Sequence, residues 1–221
     1  MQKSIKLSAA VEMIPDGASL MIGGFMGVGN PHRMIAELVR QGRKNLTVIA
    51  NDTARPLVGI GKLIVAKLVR RLIATHIGTN PETQRQMIAG ELEVELCPQG
   101  SLAERIRAAG YGLGGVLTPT GVGTLAGEGK QTVEVDGRTF LLERPLKADF
   151  ALIGAKRADY RGNLDYMLTA QNFNPVMAMA GETVIAEADD IVPVGVIPPD
   201  AVVTPHVLVD HVIERDRNHG R

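Results

Sequence analysis

The chain has 221 residues with 24 Lys+Arg against 24 Asp+Glu, so no basic field advertises a nucleic-acid partner. Aromatic residues make up only 3% and tryptophan is missing, which argues against a stacking platform for single strands. Met1-Gln-Lys-Ser-Ile-Lys-Leu lacks the apolar core of a signal peptide, no apolar run approaches the roughly 20 residues of a membrane span, and Cys97 stands alone, so a cytoplasmic protein without disulfides is expected.

Taken in chain order, Lys6 to Ile14 spaces its apolar residues as a helix and ends at the turn Pro15-Asp16-Gly17. Leu20 to Ile22 reads as a buried strand that breaks at Gly23-Gly24, with glycines again at Gly27 and Gly29. Asn30-Pro31 then reads as a helix start, Asn as N-cap and Pro in the first turn, and the helix runs to Gln41-Gly42. Leu46 to Ala50 is a strand stopping at Asn51-Asp52, Gly59 to Leu68 holds a short helix, and Val69 to Ile77 is a further strand. Asn80-Pro81 repeats the helix start, Leu92 to Leu96 alternates as a strand with one wet face, and Ser101-Leu-Ala-Glu104 reads as a capping box for a helix ending at Gly110. This alternation predicts an α/β fold with a largely parallel sheet.

Gly112 to Gly129 is rich in Gly, Thr and Pro and reads as one long loop, and Asp136-Gly137 as the turn of a hairpin over Thr132 to Leu142. Ala148 to Ile153 resumes a buried strand, Asn174-Pro175 is the third helix start of its kind, and Thr183 to Glu187 is a late strand before a charged tail from Glu214. Without internal repeat or linker, residues 1–221 are expected to be one domain.

The five histidines lack ligand spacing, so no metal site is expected. No serine sits in G-x-S-x-G, and Cys97 at a strand end reads as a small buried hydrophobe. Gly-Gly-Phe-Met-Gly-Val-Gly fails both the dinucleotide and the P-loop spacings, leaving a tight turn or a ligand cradle. If the strands are parallel, Gly23, Asn51, Ile77-Gly78-Thr79 and Pro98-Gln99-Gly100 share the carboxyl edge where open α/β sheets bind ligands.

Asp16-Gly-Ala-Ser-Leu-Met-Ile-Gly-Gly-Phe-Met-Gly-Val-Gly-Asn-Pro31 resembles the coenzyme A signature of family I CoA-transferases. Ile49 to Thr53, His76 to Thr83, Pro98-Gln99-Gly100, Leu117 to Thr124 and Asn172 to Pro175 are likewise similar to the α-subunit of bacterial acetate/acetoacetate CoA-transferases. The resemblance implies an open α/β sandwich with mixed strand directions, related to ribose-5-phosphate isomerase and glucosamine-6-phosphate deaminase. It implies CoA as substrate with no tightly bound cofactor, bound at Gly23, Gly24, Phe25, Met26, Gly27, Val28 and Gly29. It also implies an active-site Asn51, a secondary polar residue in Gln99, and a pocket border at Gly121 to Thr124.

In that family a glutamate attacks the thioester and passes through a glutamyl-CoA intermediate. Its Glu-Asn-Gly motif does not occur here; Glu128 and Glu143 lie in other contexts. The resemblance therefore implies a nucleophile on a β-subunit, in an α₂β₂ heterotetramer, with short-chain acyl groups such as acetyl, acetoacetyl or butyryl. Succinyl-CoA with a 3-oxoacid or 3-oxoadipate is the alternative, and a sugar-phosphate isomerase on the related fold a more remote one. Asn172 and Asn174 belong to a family motif, with Asn174 expected as a helix cap. Tyr111 replaces the small residue usual in relatives.

Overall fold

The computed structural model describes residues 3–213, so the tail from Glu214 lies outside the described residues. In the first half, strands β1 (Ser4–Ile5), β2 (Ser19–Ile22), β3 (Leu46–Asp52), β4 (Val69–His76) and β5 (Glu93–Leu96) alternate with helices α1 (Leu7–Glu12), α2 (His32–Gln41), α3 (Gly61–Val65), α4 (Pro81–Ile88) and α5 (Gln99–Gly110). The second half adds β6 (Val116–Thr118), β7 (Thr132–Val135), β8 (Arg138–Glu143), β9 (Ala148–Asp159), β10 (Leu164–Asp165), helix α6 (Asn174–Met177), β11 (Gly181–Val192) and β12 (His211–Ile213).

The main sheet runs β1-β12-β11-β9-β2-β3-β4-β5, and every pairing along that path is parallel. The predicted parallel sheet is thus present. Opposed strand directions are confined to the two-residue β10, which pairs with β9, and to a separate antiparallel sheet of order β6-β8-β7.

Both faces of the central strands are buried, as parallel sheets require, while the edge strand β5 is exposed or half-buried throughout. Successive strand residues point to opposite faces. Leu20, Ile22, Val48, Ala50 and Leu72 pack with Val11, Met34, Leu38 and Leu63 of the first three helices. Met21, Ile49 and Ile73 pack with Leu102 and Ile106 of α5 and Met177 of α6. Strand β2 sits where the topology reverses: the chain moves outward through β3, β4 and β5, then returns to lay β9 on the other side of β2. Such a switch point opens a crevice beyond the carboxyl ends of the strands.

Four local expectations change. Pro31, not Asn30, holds the N-cap position of α2. The first N–H groups of that helix are taken from outside instead: the Glu187 carboxylate on β11 accepts from Arg33 N at 3.0 Å and Met34 N at 2.8 Å. Ser101 is no cap either, because α5 begins two residues earlier behind Pro98, which leaves the Ser101 hydroxyl buried without a partner among the described residues. Likewise Asn174 is the first residue of α6, and Phe173 occupies the cap position. Finally, the Gly112 to Gly129 stretch contains β6 and a short 3-10 turn, Leu125–Gly127, rather than loop throughout.

The small sheet is fastened to α5 by charge. Glu143 on β8 is buried and pairs with Lys130 at 2.6 Å, with Arg105 4.0 Å away. Arg105 also reaches Glu95 at 2.8 Å and lies 3.7 Å from Cys97 Sγ. Burial pushes the Cys97 thiol up from its ordinary value, with Arg105 offsetting only part of that, so the buried-hydrophobe reading fits.

Candidate active site

The glycine loop leaves β2 at the switch point. It is a built hairpin rather than a slack cradle. Phe25 and Val28 exchange both backbone hydrogen bonds at 2.9 Å, across a two-residue turn of Met26 (φ 51°) and Gly27 (φ 90°). A turn with two positive φ values matches strand twist and prefers glycine or asparagine, so Met26 carries local strain. The hairpin presents apolar side chains outward, Phe25 at 45% and Val28 at 50% exposure.

Three carboxamides hold this hairpin from beneath. Asn172 accepts from Gly24 N at 3.1 Å and donates to Val28 O at 3.0 Å. Asn174 donates to Gly29 O and Ala170 O, at 3.0 and 2.8 Å, and accepts from Gly154 N at 3.0 Å. Asn30, freed from capping, folds under the loop and donates to Gly23 O. The glycines make room for these amides. A Cβ on Gly23 would overlap the Asn174 carboxamide, and one on Gly24 would overlap that of Asn30. Close packing against asparagine, more than open access for a ligand, explains those two glycines.

Most loop N–H groups are consequently committed. Gly23 N donates to Leu152 O, Gly24 N to Asn172, Met26 N to Asp52 Oδ2, and Phe25 and Val28 to each other. Gly27 N and Gly29 N find no acceptor among the described residues, so these two are the N–H groups the loop can offer.

At the end of β3, Asn51 and Asp52 are both buried. Asn51 Oδ1 accepts from Gln99 Nε2 at 2.6 Å and lies 3.2 Å from Thr75 Oγ1; Asn51 Nδ2 donates to Asp52 Oδ2 at 2.6 Å. Asp52 Oδ2 also accepts from Met26 N at 2.9 Å, and Asp52 Oδ1 accepts from Ala54 N at 2.6 Å. Gln99, Asn51 and the glycine hairpin are therefore joined in one hydrogen-bonded chain along the carboxyl edge, through Asp52. One N–H of the Asn51 amide is left over, since two hydrogens meet one acceptor.

Gly121 to Thr124 lies apart from this network on the small sheet's loop. There Thr124 bonds Gly121 O and caps the 3-10 turn beside an open recess lined by Gly123, Leu125 and Glu128. Tyr111 is exposed at the end of α5, with Arg107 over its ring. Asp52, read from sequence only as part of a polar strand end, and Asn30, expected as a helix cap, join this network, as does Thr75, which sequence reasoning did not single out. A carboxylate beside an amide at the end of an apolar strand was the available signal for Asp52.

Residues 5–215 match the family model described as Coenzyme A transferase. The chain belongs to that family. It is 54% identical over 211 residues to the alpha subunit of the acetate CoA-transferase of Escherichia coli K12, covering 96% of each chain. It is 48% identical over 212 residues to an acetoacetyl-CoA:acetate/butyrate CoA transferase alpha subunit of Clostridium acetobutylicum, covering 96% of this chain and 97% of that one. The corresponding subunit of a succinyl-CoA:3-ketoacid coenzyme A transferase of Xanthomonas campestris is 45% identical over 206 residues, covering 93% of this chain and 85% of that one. Among solved structures, an acyl-CoA transferase of Escherichia coli O157:H7 (YdiF) in a thioester complex with CoA superposes with a TM-score of 0.85 at 23% identity. It covers 99% of this chain, which spans 48% of that longer one. The fold is therefore that of CoA-transferases, the chain is an enzyme subunit of that class, and CoA is a substrate of the class. No helix among the described residues is long and apolar enough to cross a membrane.

Proposed function

We propose that this chain is the α-type subunit of a short-chain acyl-CoA:carboxylate CoA-transferase, exchanging CoA between acetyl-CoA/acetate and acetoacetate or butyrate. It works as one domain in a cytoplasmic α₂β₂ heterotetramer, with CoA as substrate and no tightly bound cofactor. The nucleophilic glutamate comes from the β-subunit. What carries the reading is one continuous edge: the Gly23–Gly29 hairpin, Asn51 and Gln99 are hydrogen-bonded together at the switch point, while this chain's buried Glu143 is spent on Lys130 in the small sheet.

In this reading the partner's glutamate attacks the thioester carbonyl and the remaining Asn51 N–H donates to the oxyanion that forms. Such a donor is typically worth about 10²–10³ in rate. The hairpin seats CoA, with the Gly27 and Gly29 N–H groups toward its polar atoms and Phe25 and Val28 against its apolar stretch. Gln99 holds the Asn51 amide and borders the acyl group.

The test is to assay the chain alone and with its β-subunit, using acetoacetyl-CoA and acetate. Activity is expected only from the mixture, with the thioester intermediate trapped by borohydride on the β-subunit; full activity of this chain alone, or label on it, overturns the reading. The 45% identity to a succinyl-CoA:3-ketoacid enzyme favours succinyl-CoA as the second acyl donor to try. A pocket separates one methylene by only about 1–3 kcal/mol, so a substrate panel decides the pair.

A further inference from the structure

We propose that Asp52 is a positioning residue of the transfer reaction, setting the Asn51 amide and the tip of the glycine hairpin with one carboxylate oxygen. This rests on the reading of Asn51 as the oxyanion donor.

The two oxygens of Asp52 have separate tasks. Oδ1 accepts from Ala54 N at 2.6 Å, a local turn that steers the backbone through the left-handed Ala54 (φ 52°). Oδ2 reaches outside its own turn, accepting from Asn51 Nδ2 at 2.6 Å and from Met26 N at 2.9 Å. A carboxylate only accepts, so it dictates which end of the Asn51 amide faces it. The nitrogen turns to Asp52, and the oxygen turns to Gln99 Nε2 on the other side; the Thr75 hydroxyl, which donates to the Asn51 backbone O at 2.8 Å, lies 3.2 Å from the same oxygen. The amide is held from both ends, and the direction of its remaining N–H is fixed.

Through Met26 the same oxygen anchors the residue whose left-handed backbone makes the hairpin turn. Thr79 Oγ1, which donates to Ala54 O at 3.0 Å, lies 3.4 Å from the Met26 sulfur. Loop tip and oxyanion donor thus share one acceptor, buried to 4% exposure. A shift at either reaches the other without ligand contact by Asp52 itself.

Asp52→Asn separates the two tasks. Its amide oxygen can keep the Ala54 turn, while its NH₂ replaces Oδ2 and faces two donors. The variant chain is assembled with the β-subunit, then assayed with acetoacetyl-CoA and acetate. The expected result is a fall in kcat of about 10–100-fold, the scale of a roughly 1 Å misplacement. Melting temperature is expected to fall, because two donors lose their acceptor, while assembly is retained.

The deciding readout is the double variant. If Asp52 acts through Asn51, N51A/D52N has the kcat of N51A alone, within about threefold. A D52N kcat within threefold of wild type overturns the role of Asp52 while leaving Asn51 in place, and losses that multiply in the double variant overturn its action through Asn51. An N51A enzyme of wild-type kcat overturns the Asn51 reading and Asp52's role with it. Should D52N fail to assemble, Asp52→Glu takes its place in the same cycle, with the same criterion.

Discussion

At Asn80 the side chain turns onto its own helix, accepting from the N–H groups of Glu82 and Thr83 at 3.2 and 3.3 Å while its nitrogen reaches Thr53 O. At Asn174 the same residue, again followed by proline, serves three backbone segments outside its helix: Gly29, Ala170 and Gly154. Asn30, the third of the kind, lies under Gly23 and leaves its helix to Glu187. Asn-Pro favours a helix start because the amide is short and acceptor-rich and the proline gives up an N–H that has no partner there. Where a glycine loop passes close by, those amides find buried backbone groups with no other partner. Leaving such groups without a partner costs about 1–3 kcal/mol each, more than the roughly 1 kcal/mol of a typical cap. The difference separates a helix whose start is local from two whose starts are subordinate to the loop they support.

The largest effects belong to Asn174→Ala and, on the other side of the same contact, Gly23→Ala. The new methyl at Gly23 would overlap Asn174 Oδ1, and Gly23 has no positive φ, so packing is the whole cost. Overpacking of this kind costs about 1–3 kcal/mol, and transferase activity is expected to fall more than tenfold as the hairpin is pushed off its seat. Asn174→Ala should cost about 3 kcal/mol, since it strands buried backbone groups. Combining the two should cost less than their sum by about 1–2 kcal/mol, because the methyl then meets a vacated site. Chemical denaturation of the three variants and the wild type measures this. Strict additivity would show that Asn174 does not define the space at Gly23.

Asn80→Ala should be intermediate. Loss of the cap and of the bond to Thr53 O costs about 1–2 kcal/mol. Activity at a permissive temperature is expected to stay within about threefold, since Asn80 supports a helix and not the hairpin. A kcat loss as large as that of Asn174→Ala would erase the distinction between the two asparagines.

Periodicity and glycine placement made the parallel β2–β5 half of the sheet legible, because each strand was a short apolar or alternating run with punctuation at its carboxyl end. Gly23, Asn51 and Gln99 could be predicted to share an edge for that reason. Three things were not legible. The packing of the glycines depends on Asn172 and Asn174, about 150 residues away in the chain, and local spacing carries no trace of it. Ser101 followed by Glu104 satisfied the capping-box pattern, yet Pro98 starts the helix earlier and buries the serine. The role of Asp52 depends on the hairpin folding back over β3, which places Met26 N against it.

Glu187→Gln is the smallest effect and sharpens the contrast from the other side. If Asn30 has left α2 without a cap of its own, the helix must rely on the carboxylate that β11 supplies. Glu187 meets Arg33 N and Met34 N with separate oxygens, with Arg33 Nε 3.6 Å from Oε1. An anion there also faces the positive end of the helix dipole, an interaction of about 0.3–1 kcal/mol at an exposed site and up to about 2 where partly buried. The Gln variant keeps one acceptor and loses the charge. A destabilisation of about 1 kcal/mol is expected, shrinking in high salt as far as the charge is screened. Since Asn80 caps α4 with a neutral amide, the Asn80→Ala loss should be nearly independent of salt. Urea unfolding of both variants at low and high salt makes the comparison direct. Equal salt sensitivity would mean that α2 and α4 are held at their starts by the same kind of force, against the division of labour among the three asparagines.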